Sequence, residues 1–283
     1  MRWVDALVKR LPPRAEDVAQ RMAQAYAAAG RGDHAAALEL WGPLAQGGVP
    51  RAQSNVGACF AEGLGVTRDL KLAAQWLALA AQAGDAVGRR NLAALYFKGE
   101  GVDQDYVRAA ELYRAAAEQG DGPAQDMLSW MLIEGEVIAP DHVEARRWAA
   151  AAAEQGIASS MTRLGMIYHS ALGVERDARM AAEWWANAAE RGDADGQAML
   201  GAAFHLGAGV PQDRLAAFAL LLRARKGGSA LASSFFEAVR GTLAPHELGE
   251  AEERAAAPLE HDPEKWTPVF GKRSCSTKEA GAS

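Results

Sequence analysis

Two cysteines in 283 residues, Cys59 and Cys275, are too few and too far apart for a disulfide framework, and a reducing compartment suits the chain. No apolar run is long enough to span a bilayer. Positive charge is short: 30 Lys and Arg stand against 36 Asp and Glu, a net charge of −6, so broad affinity for nucleic acid or acidic lipid is not expected. There is no His-Glu-x-x-His and no Cys-x-x-Cys, and the Gly-x-Gly pairs follow helix-like rather than strand-like segments, which excludes a dinucleotide loop. Nothing has the form of a nucleophile elbow. Of the six histidines, His169 and His205 share a register, but one helix spacing of ~10 Å is too far for both rings to hold one zinc at ~2 Å. Neither catalysis nor a metal or other cofactor is expected.

What the chain has is a period. Asp33, Asp69, Asp105, Asp141, Asp177 and Asp213 follow one another at intervals of 36. So do the glycines Gly48, Gly84, Gly120, Gly156, Gly192 and Gly228. Val66, Val102, Ile138, Val174 and Val210 form a third series, and Phe60, Tyr96, Tyr168 and Phe204 a fourth, with Leu132 standing in once. Within one unit, residues 91–121, an i, i+3, i+4 stripe of Leu92, Leu95 and Tyr96 predicts a first helix. Gly99 and Gly101 then allow a tight bend. Asp105 is placed to cap a second helix carrying Ala109, Leu112, Tyr113 and Ala116, and Gly120 ends it. A hairpin of this size cannot bury both faces alone, so the period predicts a stack of hairpins, each touching the next.

In chain order, residues 1–14 read as an amphipathic helix with Trp3, Val4, Leu7, Val8 and Leu11 on one face. It would pack on the first repeat or, alternatively, lie on a membrane surface or partner. Residues 15–50 are a divergent first repeat of tetratricopeptide-like length, and residues 51–228 hold five full units. Residues 229–259 predict two capping helices, and the tail 260–283 lacks periodic apolar residues and is expected to be disordered. A small-residue column, Gly57, Ala93, Ser129, Gly165 and Gly201, lets neighbouring helices approach closely. Trp76, Trp148 and Trp184 share a column with Leu40, Leu112 and Leu220, which marks them as packing residues of the second helix. In the fourth unit Ser129 replaces the small glycine and Val137 the second corner glycine, so that corner is expected to be stiffer or differently bent.

The fifth unit shows the full pattern: Leu164, Gly165, Tyr168, Gly173, Val174, Asp177, Ala181, Trp184, Ala188, Ala189 and Gly192, with the first corner glycine replaced by Ala171. The sixth repeats it as Leu200, Gly201, Phe204, Gly207, Gly209, Val210, Asp213, Ala217 and Gly228. This pattern resembles the Sel-one-like repeat family, whose members are α-solenoids related to tetratricopeptide repeats, and it covers about two thirds of the chain. The resemblance implies an all-α, right-handed superhelical solenoid, here of six helix-turn-helix repeats with capping helices. It also implies scaffolding or signalling roles, often in bacteria. The cysteine-rich members that resemble β-lactamases carry a disulfide in each repeat, which two cysteines cannot supply.

With Val56 and Phe60 facing the core, residues 54, 58 and 61 point to the opposite side of the first helix, at ~100° per residue. Three columns follow: Ser54, Arg90, Asp126, Thr162 and Ala198; Ala58, Ala94, Trp130, Met166 and Ala202; Ala61, Phe97, Ile133, His169 and His205. In solenoids of the kind this chain resembles, that side lines the concave surface. A groove lined by Arg90, Phe97, Asp126, Trp130, Ile133, Thr162, Met166, His169 and His205 would hold a peptide or partner protein. The expectation is a cytoplasmic, non-catalytic adaptor or scaffold. No nucleic-acid partner and no membrane contact are expected of it, and the oligomeric state is left open. A β-lactamase-like enzyme and a spacer with a membrane-surface N-terminal helix are the alternatives.

Overall fold

In a computed structural model of the chain, residues 15–257 are described. The expected helix at 1–14 and the tail from 260 lie outside them. Fourteen helices and no strand are found among the described residues. Twelve of the helices pair as six hairpins: α1 (Ala15–Gly30) with α2 (His34–Gln46), α3 (Pro50–Glu62) with α4 (Leu70–Gln82), and α5 (Ala86–Lys98) with α6 (Tyr106–Ala117). Then come α7 (Gly122–Glu134) with α8 (His142–Glu154), α9 (Ala158–Ser170) with α10 (Ala178–Glu190), and α11 (Ala194–Leu206) with α12 (Arg214–Lys226). Two more helices follow, α13 (Ala230–Arg240) and α14 (Pro245–Ala256). The architecture is an all-α solenoid of repeated hairpins.

Each hairpin starts and stops for local reasons. The second helix begins where an aspartate carboxylate accepts the N–H three residues on: Asp33 from Ala36, Asp69 from Leu72, Asp105 from Arg108, Asp141 from Glu144, Asp177 from Met180 and Asp213 from Ala216, at 2.9–3.1 Å. Each such cap contributes about 0.5–2 kcal/mol relative to alanine. In the last five hairpins the same aspartate closes the corner, its own N–H donating to the carbonyl of the aromatic position or of Leu132 in its place, as from Asp105 to Tyr96 at 3.0 Å, whereas Asp33 donates to the carbonyl of Ala28. At the second corner glycine the constraint is space. A Cβ on Gly101 would stand 2.3 Å from the carbonyl oxygen of Leu70 in the preceding hairpin, and the residue's φ is +74°.

Two corners of the full repeats depart from this. Ala171 takes the left-handed conformation of the glycine it replaces, with φ 57°. The fourth corner keeps Gly135 left-handed and keeps the closing bond from Asp141 to the carbonyl of Leu132 at 3.1 Å. Val137 does not adopt the positive φ of the glycines it replaces. The expected change of bend therefore falls on the stretch between two unchanged anchor points.

The chain divides into two compact units, 1–152 and 153–283. In the first, a continuous core runs from Ala25 through Trp41, Val56, Leu77, Leu92, Tyr113 and Leu128 to Trp148. The core of the second includes Trp185, Leu200 and Leu220, and a further cluster joins Phe218 and Leu221 to Phe236 and Val239 of α13 and Ala251 of α14. The Phe218 and Phe236 rings lie 5.0 Å apart, and the Arg225 guanidinium covers Phe236 at 3.9 Å.

The small-residue column is buried throughout, and it faces a column one residue beyond the one the tryptophan spacing suggests. The deep positions of the second helices are Trp41, Leu77, Tyr113, Ala149, Trp185 and Leu221, all buried, whereas the tryptophan column packs as expected but mixes buried Leu112, Trp148 and Leu220 with half-buried Leu40, Trp76 and Trp184. A Cβ on Gly165 would stand 2.2 Å from Trp185 Nε1, and one on Gly57 would stand 2.7 Å from Leu77 Cγ. At the two extremes the sizes compensate: the bulkiest deep residue in these five hairpins, Trp185, faces a glycine, and the smallest, Ala149, shares its register with Ser129. Trp185 also donates its indole N–H to the carbonyl of Thr162 at 3.2 Å, which fixes the ring over the glycine. Gly165→Ala should therefore destabilise the chain by about 1–3 kcal/mol through overpacking, read as a lower urea midpoint with unchanged far-ultraviolet circular dichroism.

Candidate functional site

The three outward columns of the first helices have different fates. The first is drawn into the stack. Ser54, 1% exposed, donates its hydroxyl to Asp85 at 2.6 Å, and Thr162 donates to Asp193 at 2.6 Å. Arg90 Nη1 reaches both carboxylate oxygens of Asp121 at 3.0 and 3.1 Å. Those aspartates are the N-caps of the following first helices, accepting from Gly88, Gly196 and Ala124 at 2.7, 2.7 and 3.0 Å. Arg90 and Thr162, expected to line the groove, thus spend hydrogen bonds on the next repeat. Ala198 is buried and Asp126 is half-buried.

The second and third columns stay at the surface in part. In the first unit Phe97, Trp130 and Ile133 are half-buried beside half-buried Ala58, Ala61 and Ala94. The rings of Phe97 and Trp130 meet edge-to-face with centroids 5.7 Å apart, and Phe97 meets Tyr106 of α6 in the same way at 5.2 Å. In the second unit Met166 is 38% exposed, while Ala202 is buried. His169 and His205 are half-buried, and the Nδ1 atom of each is buried without a hydrogen-bond partner. The His169 ring lies 5.5 Å from Trp185. No group of three or more metal-ligating side chains occurs among the described residues, and no helix there is long and apolar enough to cross a membrane.

Two series of structural residues lay outside the sequence reading. One is the aspartate set Asp85, Asp121 and Asp193. The other is the set Gln53, Gln125 and Gln197, whose side-chain amides donate to the carbonyls of Ala45, Ala117 and Ala189 eight residues earlier, at 3.1–3.3 Å. Arg89 does the same to Ala81 at 3.3 Å. Both series recur at the same period and could have been found by it. Both lapse in the fifth repeat, where Ile157 starts α9 without a side-chain cap and Met161 stands at the glutamine position.

A tandem array of helical hairpins with a small-residue column, capped second helices and glycine corners defines a class, the α-solenoid repeat proteins. The family follows from the matches of the Sel1 repeat model at residues 50–85, 86–121, 122–157, 158–193 and 194–229, consecutive and without gaps. The chain belongs to the Sel1 repeat family. Repeats of this family generally mediate protein–protein interaction and are typically non-enzymatic. A crystal structure of a Sel1 repeat protein from Oxalobacter formigenes is similar over 90% of this chain and 98% of its own, at 24% identity and a TM-score of 0.73. That of c5321, a protective antigen with an SLR fold from uropathogenic Escherichia coli, is 23% identical over 94% of this chain and 74% of its own. Its TM-score of 0.38 is too low to bear on the fold. No curated protein was found to match the chain in sequence.

Asp85 is the best-connected of the inter-repeat caps. Burial pushes its carboxyl up, but hydrogen bonds from Ser54, Arg51 and the Gly88 N–H, with the Arg51 charge at 2.7 Å, outweigh burial and hold it below the usual carboxylate range. The folded chain thus binds this proton less readily than the unfolded chain. The stabilisation is complete above the ordinary aspartate value of ~3.9 and is lost as pH falls through the lower folded value. Asp85→Ala should cost about 1–3 kcal/mol at neutral pH, and urea midpoints of wild type and variant should converge below about pH 4.

Proposed function

We propose that the chain is a non-catalytic adaptor or scaffold that holds a peptide or partner protein on the outward side of its first helices. In the first unit the surface comprises Phe97, Trp130 and Ile133, with half-buried Asp126 on the same helices. In the second unit a separate surface comprises Met166, His169 and His205. The supporting observation is the edge-to-face pair of Phe97 and Trp130, which keeps two large rings partly open to solvent next to the small side chains of Ala58 and Ala94. Rings held by packing lose little freedom on binding, and a partly open aromatic pair offers contact area to one bulky apolar side chain. The two-cysteine composition fits a cytoplasmic setting. On this reading α13 and α14 close the end of the array that follows the last repeat.

The double substitution Phe97→Ala and Trp130→Ala should abolish capture of partners in a pull-down with mass spectrometry and leave helicity unchanged. Equal recovery by wild type and double variant rejects the surface.

A further inference from the structure

The aromatic step of the first unit lies at the corner end of its helices. Phe97 and Ile133 are each one residue from the end of their helix, and Tyr106, the first residue of α6, closes on the Phe97 ring. The two corners beyond it, 98–105 and 134–141, carry Glu100, Asp103, Asp105, Glu134, Glu136 and Asp141 against the single cation Lys98. Asp105 and Asp141 are helix caps, and Glu100 lies 3.7 Å from Arg68. Asp103, Glu134 and Glu136 are exposed and make no ion pair among the described residues. Glu134 is also misplaced for stability. It is the last residue of α7, where the helix dipole is negative and an anion is disfavoured by about 0.3–1 kcal/mol. Helices α3, α8 and α10 also end on a glutamate, so what sets Glu134 apart is its place next to Ile133 at the aromatic step, with no cation of the corner to pair with it.

We propose that this surface takes a basic segment. A bulky apolar side chain of the partner sits against Phe97 and Trp130, and its lysines or arginines face Asp103, Glu134 and Glu136. The inference rests on the interaction reading above and adds the sign of the partner. Because the carboxylates are exposed, they steer and select more than they hold, and salt screens them.

The test uses the full chain and two fluorescent amphipathic peptides of leucine and tryptophan, one with lysine at every polar position and the other with glutamate. Anisotropy titrations should show the lysine peptide binding at least about tenfold more tightly than the glutamate peptide, with the gap narrowing at high salt. Glu134→Lys with Glu136→Lys should weaken the lysine peptide about tenfold at unchanged circular dichroism. Glu39→Lys with Glu118→Lys, an equal change in net charge at exposed sites on α2 and at the C-cap of α6, should not. Equal weakening by both charge reversals, or by neither while Phe97→Ala with Trp130→Ala abolishes binding, overturns the basic-partner inference and spares the interaction surface. No binding of either peptide to wild type, or binding unaffected by the aromatic double variant, overturns both. Salt-sensitive self-association in sedimentation that Glu134→Lys with Glu136→Lys removes would assign the surface to a second copy. Tighter peptide binding on Val4→Glu with Leu7→Glu would assign it to residues 1–14 of the chain itself. Either result overturns the proposal.

Discussion

A helix of thirteen residues leaves its first N–H groups without partners inside the helix, and this chain begins a new helix every half-repeat. Most of what recurs in the sequence answers that constraint. One aspartate series caps the second helices within each hairpin. Another caps first helices and is gripped by Ser54, Arg90 or Thr162 of the hairpin before. The second series makes helix capping and repeat stacking the same interaction, so a first helix is well started only where its predecessor is in place. Coupling of that kind, together with the amide ties from Gln53, Gln125 and Gln197, gives a linear array its nearest-neighbour cooperativity.

Above that framework the outward surface is free to vary, and it does. The second and third columns run from alanine to tryptophan and from alanine to histidine between repeats, while the caps and corners change little. The framework side is set by space and backbone conformation, and there even an alanine is held at a positive φ when the glycine is missing. Family membership fixes the architecture and the general role in protein interaction. The particular partner is a matter of the variable side.

The period, the second-helix caps, the glycine corners and the two helices after the last repeat were all legible in the sequence, because each depends on residues close together in the chain. Two things were not. The deepest column went unnoticed, since the tryptophans at 76, 148 and 184, packing residues as expected, are more conspicuous than the mixed set Trp41, Leu77, Tyr113, Ala149, Trp185 and Leu221. Spacing alone cannot tell which of two adjacent positions a helix turns inward. The first outward column was read as open surface because a helical wheel describes a single helix. The aspartate that claims Ser54 is 31 residues away, at the start of another helix. His169 and His205 do share a half-buried register, as their spacing required, and the structure adds that the Nδ1 of each faces inward unbonded.

The match between Gly165 and Trp185, and between Gly57 and Leu77, lies twenty residues apart inside one hairpin, whereas the aspartate grips span the joint between hairpins. Copying a whole 36-residue unit therefore carries its volume fit along intact and needs only a serviceable cap at each junction. A crossover at the glycine corner would instead pair one unit's floor with another's ceiling. Growth of such an array by whole units, and not by halves, is what this division of contacts favours.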